Sequence, residues 1–228
     1  MATLYFKLNP HLYLRDPQQT ELGQKIINAS VVLIDTLGFE QFTFKKLAEE
    51  IDSTEASIYR YFENKHRLLL YLVGWYWNWI EYQIDMRTSN LPSPQEKLKA
   101  CIQVLASEKK FDASFDFIDE VALHRIVIAE LDKTYLTKQV DSDNKEGLFG
   151  GFKLLGKKIS SWVIEMNPTF PYPDALVSTV LLAAKQQLFF AAHLPSLTNL
   201  GKGVSQQHMA LENFLQLLLF KSITDTHA

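Results

Sequence analysis

Thr43, Thr54, Ser57, Tyr59, Tyr61 and Lys65 place hydroxyl, phenol and ammonium groups within one short stretch, interleaved with Glu55 and Arg60. Groups of these types hydrogen-bond phosphate oxygens and base edges, so the chemistry they suit is recognition of a nucleic acid. Their spacing agrees with a helix-turn-helix. Thr43 and Thr54 can each cap a short helix, Ala48 is small where two helices cross, and Ile51 and Ile58 face each other across a three-residue turn. A crossing this tight leaves the second helix projecting outward with Glu55, Ser57, Tyr59, Arg60 and Tyr61 exposed. An αα corner inside an ordinary helical protein has the same spacing. The next helix tips the balance, because Lys65, His66 and Arg67 fill its first turn, where the macrodipole disfavours each cation by about 0.3–1 kcal/mol. An anion visiting that helix end, such as a phosphate, accounts for them.

Bond-making chemistry has little support. There is no Gly-rich phosphate loop, no nucleophile elbow and no HExxH, and Glu120 with His124 is a single i, i+4 pair without further ligands. Cys101 is the only cysteine, which excludes an intrachain disulfide and a cysteine-based zinc site. The expectation is a protein that is not an enzyme and has no cofactor or metal. Net charge is −3, so any contact with a polyanion must be local. Even the candidate segment is balanced: Lys45, Lys46, Arg60, Lys65 and Arg67 oppose Glu49, Glu50, Asp52, Glu55 and Glu63. Weak non-specific DNA binding follows.

The elements that must position these groups are helices. Hydrophobic residues make up 47% and aromatic residues 12%, with only nine Gly and eight Pro in 228 residues, and no stretch alternates as a strand or repeats internally. Asp16-Pro17 predicts a helix start, and Leu22, Ile26, Leu33 and Leu37 carry its apolar stripe to a stop at Gly38. Two short helices follow, from Thr43 to about Ile51 and from Thr54 to about Phe62, the first with Phe42 and Leu47 as a hydrophobic staple. A long helix then runs from Asn64 to about Arg87, apolar nearly all round and carrying Trp75, Trp77 and Trp79. Beyond the Pro-bearing break at 91–94, helices are expected over 94–108, 116–135, 146–166, 174–194 and 205–222, with loops at 141–144 and 167–171. The fold class is all-α: an N-terminal three-helix helix-turn-helix head plus a larger C-terminal helical bundle.

On these residues the segment Phe44 to Leu69 resembles the DNA-binding signature of the TetR family of transcriptional regulators. Thr43-Phe44, Leu47-Ala48, Thr54, Ser57-Ile58-Tyr59, Tyr61-Phe62, Lys65 and Leu68 carry the likeness, which is close over about 21–72. The resemblance implies that Thr43, Thr54, Ser57, Tyr59, Tyr61 and Lys65, with Glu55 and Arg60, lie where family members touch DNA. It also implies a division into an arm and DNA-binding domain over 1–67 and a helical ligand-binding and dimerisation domain over 68–228. One departure concerns the turn, where Asp52 and Ser53 replace the usual Gly and small apolar residue; Asp tolerates the left-handed conformation this requires. Lys7, His11 and Arg15 form an arm that either packs or reaches the DNA backbone.

In the body, His124 interrupts an apolar row and His193 ends an aromatic run; with Phe115, Trp162 and Phe189 they are candidates to line a pocket for an apolar small-molecule effector, as they are for simple core packing. The segments 174–194 and 205–222 are more apolar than one buried stripe needs. Leu211, Leu215, Leu218 and Leu219 with Val177, Leu181, Lys185 and Leu188 are expected to form half of a four-helix homodimer interface. No secretory signal is evident, and Lys185, Gln186 and Gln187 interrupt the most apolar stretch, so a cytoplasmic protein outside the membrane is expected. The reading that emerges is a ligand-responsive repressor that binds a palindromic operator as a dimer. The alternative is a helical small-molecule-binding or interaction protein that keeps the helix-turn-helix as a structural unit without using DNA.

Overall fold

Thr20, rather than Asp16, starts the first α-helix. Its hydroxyl accepts from the Gly23 amide at 3.0 Å and opens α1, Glu21–Leu37. Asp16 instead caps a single 3₁₀ turn, Pro17–Gln19. The chain doubles back so closely there that a Cβ on residue 23 would lie 2.2 Å from the Pro17 carbonyl oxygen, which only glycine avoids. At the other end Gly38, at φ 78°, returns its amide to Ile34 and ends the helix as expected.

The computed structural model describes residues 4–112 and 114–224, all helix and loop with no strand among them. The chain divides into two compact units: one comprises the residues up to Trp77 with Lys109–Gly151, the other Asn78–Glu108 with Phe152 onward.

The first unit holds α1, then α2 (Phe44–Glu50), α3 (Glu55–Tyr59) and the first half of α4 (Lys65–Thr88). From the later segment come α6 (Glu120–Glu130), α7 (Asp132–Tyr135) and α8 (Val140–Lys145), numbered after α5 (Pro94–Ala106). Helix α1 packs on α2 and α6, and α2 on α3. Ile26, Ile27, Phe42, Leu47, Ile58, Phe62 and Trp75 are fully buried. The N-terminal arm is packed: Leu8 and Leu12 are buried, and Phe6 sits 5.2 Å from the Trp75 ring and 5.0 Å from the Phe115 ring. Gln18, itself buried, binds the Phe6 backbone in both directions. Lys7, His11 and Arg15 remain exposed along this arm.

Two expectations for this unit are corrected. The helix expected over 116–135 starts at Glu120, where the Asp119 carboxylate accepts from the amides of Val121 and Ala122, and it breaks at Leu131 into α6 and α7. The loop expected at 141–144 is instead the middle of α8. Asp141 and Asp143 lie in its first turn, where acids favour a helix.

In the second unit α5 begins with a complete capping box between Ser93 and Glu96. Helices α9 (Gly150–Met166), α10 (Pro173–His193) and α11 (Val204–Thr224) complete the bundle, with α11 packed on α5 and α10. Lys158 of α9 binds Glu81 and Asp85, the latter at 2.9 Å, and Asn167 donates to the Ile223 carbonyl at 2.8 Å. Helix α10 is long and apolar enough by composition to cross a membrane, with a mean hydropathy of 1.4, but Leu176, Val177, Val180 and Leu181 are buried in this bundle. An apolar seam bordered by Cys101, Leu105, Ile159, Leu181 and Leu219 encloses about 10 Å³, room for roughly one water.

The dimer residues expected from sequence need correction. Leu211, Leu215, Leu219, Val177, Leu181 and Lys185 are all buried within this unit, where they hold α10 and α11 together. The large apolar groups left outward on α11 are Val204, Met209, Phe214 and Leu217, with Leu218 half-buried; on α10 Leu188, Phe189 and Phe190 are half-buried.

Candidate nucleic-acid interface

The Thr43 hydroxyl accepts from the Lys46 amide at 3.2 Å and starts α2. At its end the amides of Ile51 and Ser53 return to the carbonyls of Leu47 and Ala48 at 3.1 and 2.9 Å, and Asp52 takes φ 50°. This is the Schellman-type stop that glycine usually supplies, here achieved by aspartate. The Thr54 hydroxyl then accepts from the Ser57 amide at 3.2 Å and lies 3.0 Å from the Ser57 hydroxyl, so α3 is capped without Glu55. Ala48 and Ile58 are buried where the two helices meet. Tyr59 turns the other way, 47% exposed, with its ring edge-on to Phe44 at 5.0 Å.

Of the candidate contacts, Thr43, Thr54, Glu55, Tyr59 and Arg60 are exposed and Ser57 is half-buried. Lys45, Lys46 and Ala56 join them on the surface. Tyr61 does not. It is 2% exposed, its hydroxyl is 2.8 Å from that of Thr20, and its carbonyl accepts from Leu14, so the residue ties the arm and α1 to the end of α3.

Lys65 is also committed inward. Its ammonium donates to the carbonyls of Phe39, Glu40 and Phe42 at 3.1, 3.2 and 3.2 Å, which uses all three of its protons. The neighbouring basic side chains are likewise engaged. His66 Nε2 lies 3.2 Å from the Asp143 carboxylate, and Arg67 reaches Glu146 at 2.8 Å, Asp143 at 3.6 Å and Glu63 at 3.8 Å. The anions that explain this cationic turn are carboxylates of the protein's own α8 and its C-terminal end, together with carbonyls of the 39–42 loop.

A second polar set fixes the loop after α1. Glu130 Oε1 accepts from the Phe39 amide at 3.0 Å, Lys133 bridges Glu40 and Glu130 at 2.9 and 2.8 Å, and Arg125 holds Asp35 through both carboxylate oxygens. Most of these partners were not visible in the sequence: apart from Lys133–Glu130 and Arg67–Glu63, three and four residues apart, the pairings with carboxylates span 76–93 residues, and a charged residue on a helix looks the same whether solvated or paired. The only local hint was the run of two acids inside the 141–144 segment.

The candidate ligand residues divide between the units. In the first, Phe115 is fully buried against Phe6 and Trp75, a core position, while His124 Nδ1 lies 2.8 Å from the Tyr76 hydroxyl with the two rings stacked. Burial pushes the Tyr76 phenol far up, so it stays protonated beside that nitrogen. In the second, Trp162 is buried, and Phe189 lies 4.7 Å from the exposed His193 ring. None of the three borders the apolar seam.

With Ile58 turned in and Tyr59 turned out, α3 has the disposition of a recognition helix, and the protein falls in the class of helix-turn-helix DNA-binding proteins. Residues 26–72 match the family described as bacterial regulatory proteins, tetR family. The matched segment holds α2, α3 and the start of α4, so the chain carries a DNA-binding helix-turn-helix domain of the tetR type. Solved structures share its fold. The fatty acid degradation regulator FadR of Bacillus halodurans is 17% identical, with a TM-score of 0.60, over 90% of this chain and 96% of its own. AibR in complex with isovaleryl coenzyme A and operator DNA is 16% identical, with a TM-score of 0.58, over 86% and 98%. The ketosteroid transcriptional regulator KstR2 of Mycobacterium tuberculosis is 13% identical, with a TM-score of 0.53, over 88% and 93%. No curated protein matches in sequence.

Proposed function

We propose that the protein is a cytoplasmic, ligand-responsive repressor that binds a palindromic operator as a homodimer, reading each half-site with Thr43, Thr54, Glu55, Ser57, Tyr59 and Arg60. The observation that carries this is the exposed outer face of α3 on a fully capped, correctly turned α2–α3 pair. Residues 1–67 supply the DNA contacts and 68–228 the effector and dimer contacts. Two recognition helices must stand about one DNA turn apart, roughly 34 Å, which requires a two-fold partner. Met209, Phe214 and Leu217 provide an outward apolar face on α11 for that second copy.

The effector is an apolar small molecule of the acyl or steroid kind. FadR and KstR2 are described as regulators of fatty acid degradation and as a ketosteroid regulator, and AibR holds an acyl-coenzyme A. Trp162, Phe189 and His193 of the second unit are its candidate contacts; His124 and Phe115, the other candidates, belong to the first unit, where Phe115 is a core residue. Binding lowers operator affinity to the extent that the effector prefers the dimer whose recognition helices are wrongly spaced.

Fluorescence anisotropy with DNA from around the protein's own coding region tests this. Salt-sensitive, sequence-selective binding that weakens on adding a long-chain acyl-coenzyme A or a steroid supports it. Equal affinity for scrambled DNA supports the second reading, a helical binding protein with a structural helix-turn-helix. That reading is favoured by one observation: of the five head cations, Lys65 and Arg67 are spent on internal partners and Lys46 also donates to the Gln41 carbonyl.

A further inference from the structure

Glu55 is an exposed carboxylate on the outward face of α3, and it makes no hydrogen bond or ion pair among the described residues. Helix α3 does not need it as a cap, since the Thr54 hydroxyl already takes the Ser57 amide. Tyr59 follows it by one turn, and Ala56 and Arg60 form the adjacent exposed row. The cations able to offset a carboxylate there are few, because Lys65 and Arg67 are engaged elsewhere. An acceptor-only group held against a polyanion is repelled unless a hydrogen-bond donor meets it.

Resting on the reading above, we propose that Glu55 determines operator specificity by accepting a hydrogen bond from the N4 amino group of a cytosine in each half-site. In the major groove the donors on base edges are the amino groups of cytosine and adenine. Adenine sets its N7 lone pair beside N6, which repels a carboxylate; beside cytosine N4 stands only the C5–H. Phosphates, guanine and thymine offer Glu55 acceptors alone. Ala56, small and apolar beside it, fits a thymine methyl or the cytosine C5–H edge. Glu55 thus acts as a filter, gaining at one base and repelling the others, which suits a head with little non-specific attraction for DNA.

The test selects double-stranded sites from a random-sequence pool with the full-length protein, with E55A and with E55Q, and then measures affinities by anisotropy. Wild type is expected to select cytosine at one position per half-site. E55A loses that preference alone, binds the selected site about tenfold more weakly, and binds a site with that cytosine replaced by thymine as tightly as wild type or more so. E55Q moves the preference to adenine, whose N6 and N7 a carboxamide can pair together. If E55A tightens binding to every site equally, Glu55 merely repels phosphates and the proposal is overturned; a wild-type preference for adenine at that position overturns it as well. Failure of the wild type to select any sequence would instead remove the regulator reading itself.

Discussion

The Lys65 ammonium lies over the Phe39 ring, 4.7 Å from its centroid, and donates to the Phe39 carbonyl at 3.1 Å. With the Glu40 and Phe42 carbonyls it closes the 39–42 loop onto the start of α4. A residue whose sequence position suggests a phosphate contact is therefore a loop anchor, and the two roles respond differently to mutation.

Lys65→Gln should lower the stability of the folded protein by about 1–3 kcal/mol, because it leaves carbonyls of the loop without their charged donor. Urea unfolding measures this. The slope of operator affinity against salt should stay the same, since no phosphate contact is lost. A slope reduced by about one unit with stability unchanged would restore the phosphate role.

Tyr59 and Tyr61, two residues apart, should separate cleanly. Tyr59→Ala removes an exposed group that packs edge-on against Phe44, so stability changes by roughly 1 kcal/mol or less while operator affinity drops about tenfold. Tyr61→Phe removes the bond to the Thr20 hydroxyl, costing about 1 kcal/mol in stability with operator affinity retained. Melting curves and anisotropy on the same preparations decide; the reverse pattern would place Tyr61 at the DNA.

Asp143→Asn should destabilise by about 3 kcal/mol, since it leaves His66 and Arg67 facing an amide in a site where the Asp143 side chain is only 4% exposed. A double-mutant cycle with Arg67→Met should return a coupling of about 1–3 kcal/mol. Additive effects would mean that α8 is not tied to α4 through this pair.

These cases show where the sequence was legible and where it was not. The caps at Thr43, Thr54 and Ser93, the stop at Gly38 and the left-handed turn at Asp52 depend on neighbours a few residues away, so local chemistry specifies them. Inward and outward positions of α3 followed from its period as far as Tyr59. The period failed at Tyr61 because α3 ends at Tyr59, and past that point the chain no longer turns by 100° per residue. Lys65, His66 and Arg67 were unreadable for another reason: their partners come from the far side of the sequence and from backbone carbonyls, which carry no signal in composition. The same holds for α10 and α11, where apolar residues abound on every face and only packing shows that Leu211 and Leu215 turn inward while Phe214 and Leu217 turn outward.

The outward pair gives a prediction about assembly. Leu217→Glu, together with Phe214→Glu, should convert the protein to a monomer in sedimentation velocity without changing its helical circular dichroism, because both side chains are exposed in the isolated chain. Operator affinity should fall with dimerisation. A dimer that survives both changes would move the interface away from this face of α11.

Glu120 makes stability depend on pH in a direction opposite to that of most carboxylates. Its side chain is buried at the first position of α6, with one oxygen 3.4 Å from the Asp112 amide and the other without a partner. Burial pushes its pKa from 4.5 up to about 7, with the Asp112 and Asp119 charges adding to the rise and backbone hydrogen bonds opposing it. Between those values the folded state keeps a proton that the unfolded state has released, so this group's contribution to stability falls as pH rises through the interval and levels off above it. Glu120→Gln keeps the acceptor for Asp112 and removes the charge. The variant should therefore match wild type near pH 4.5 and gain on it as pH approaches 7, by on the order of 2 kcal/mol above that point. Thermal unfolding of both proteins across that range checks the sign: a difference that is constant with pH, or one that favours wild type at high pH, would mean that the carboxylate is charged and satisfied in the folded protein.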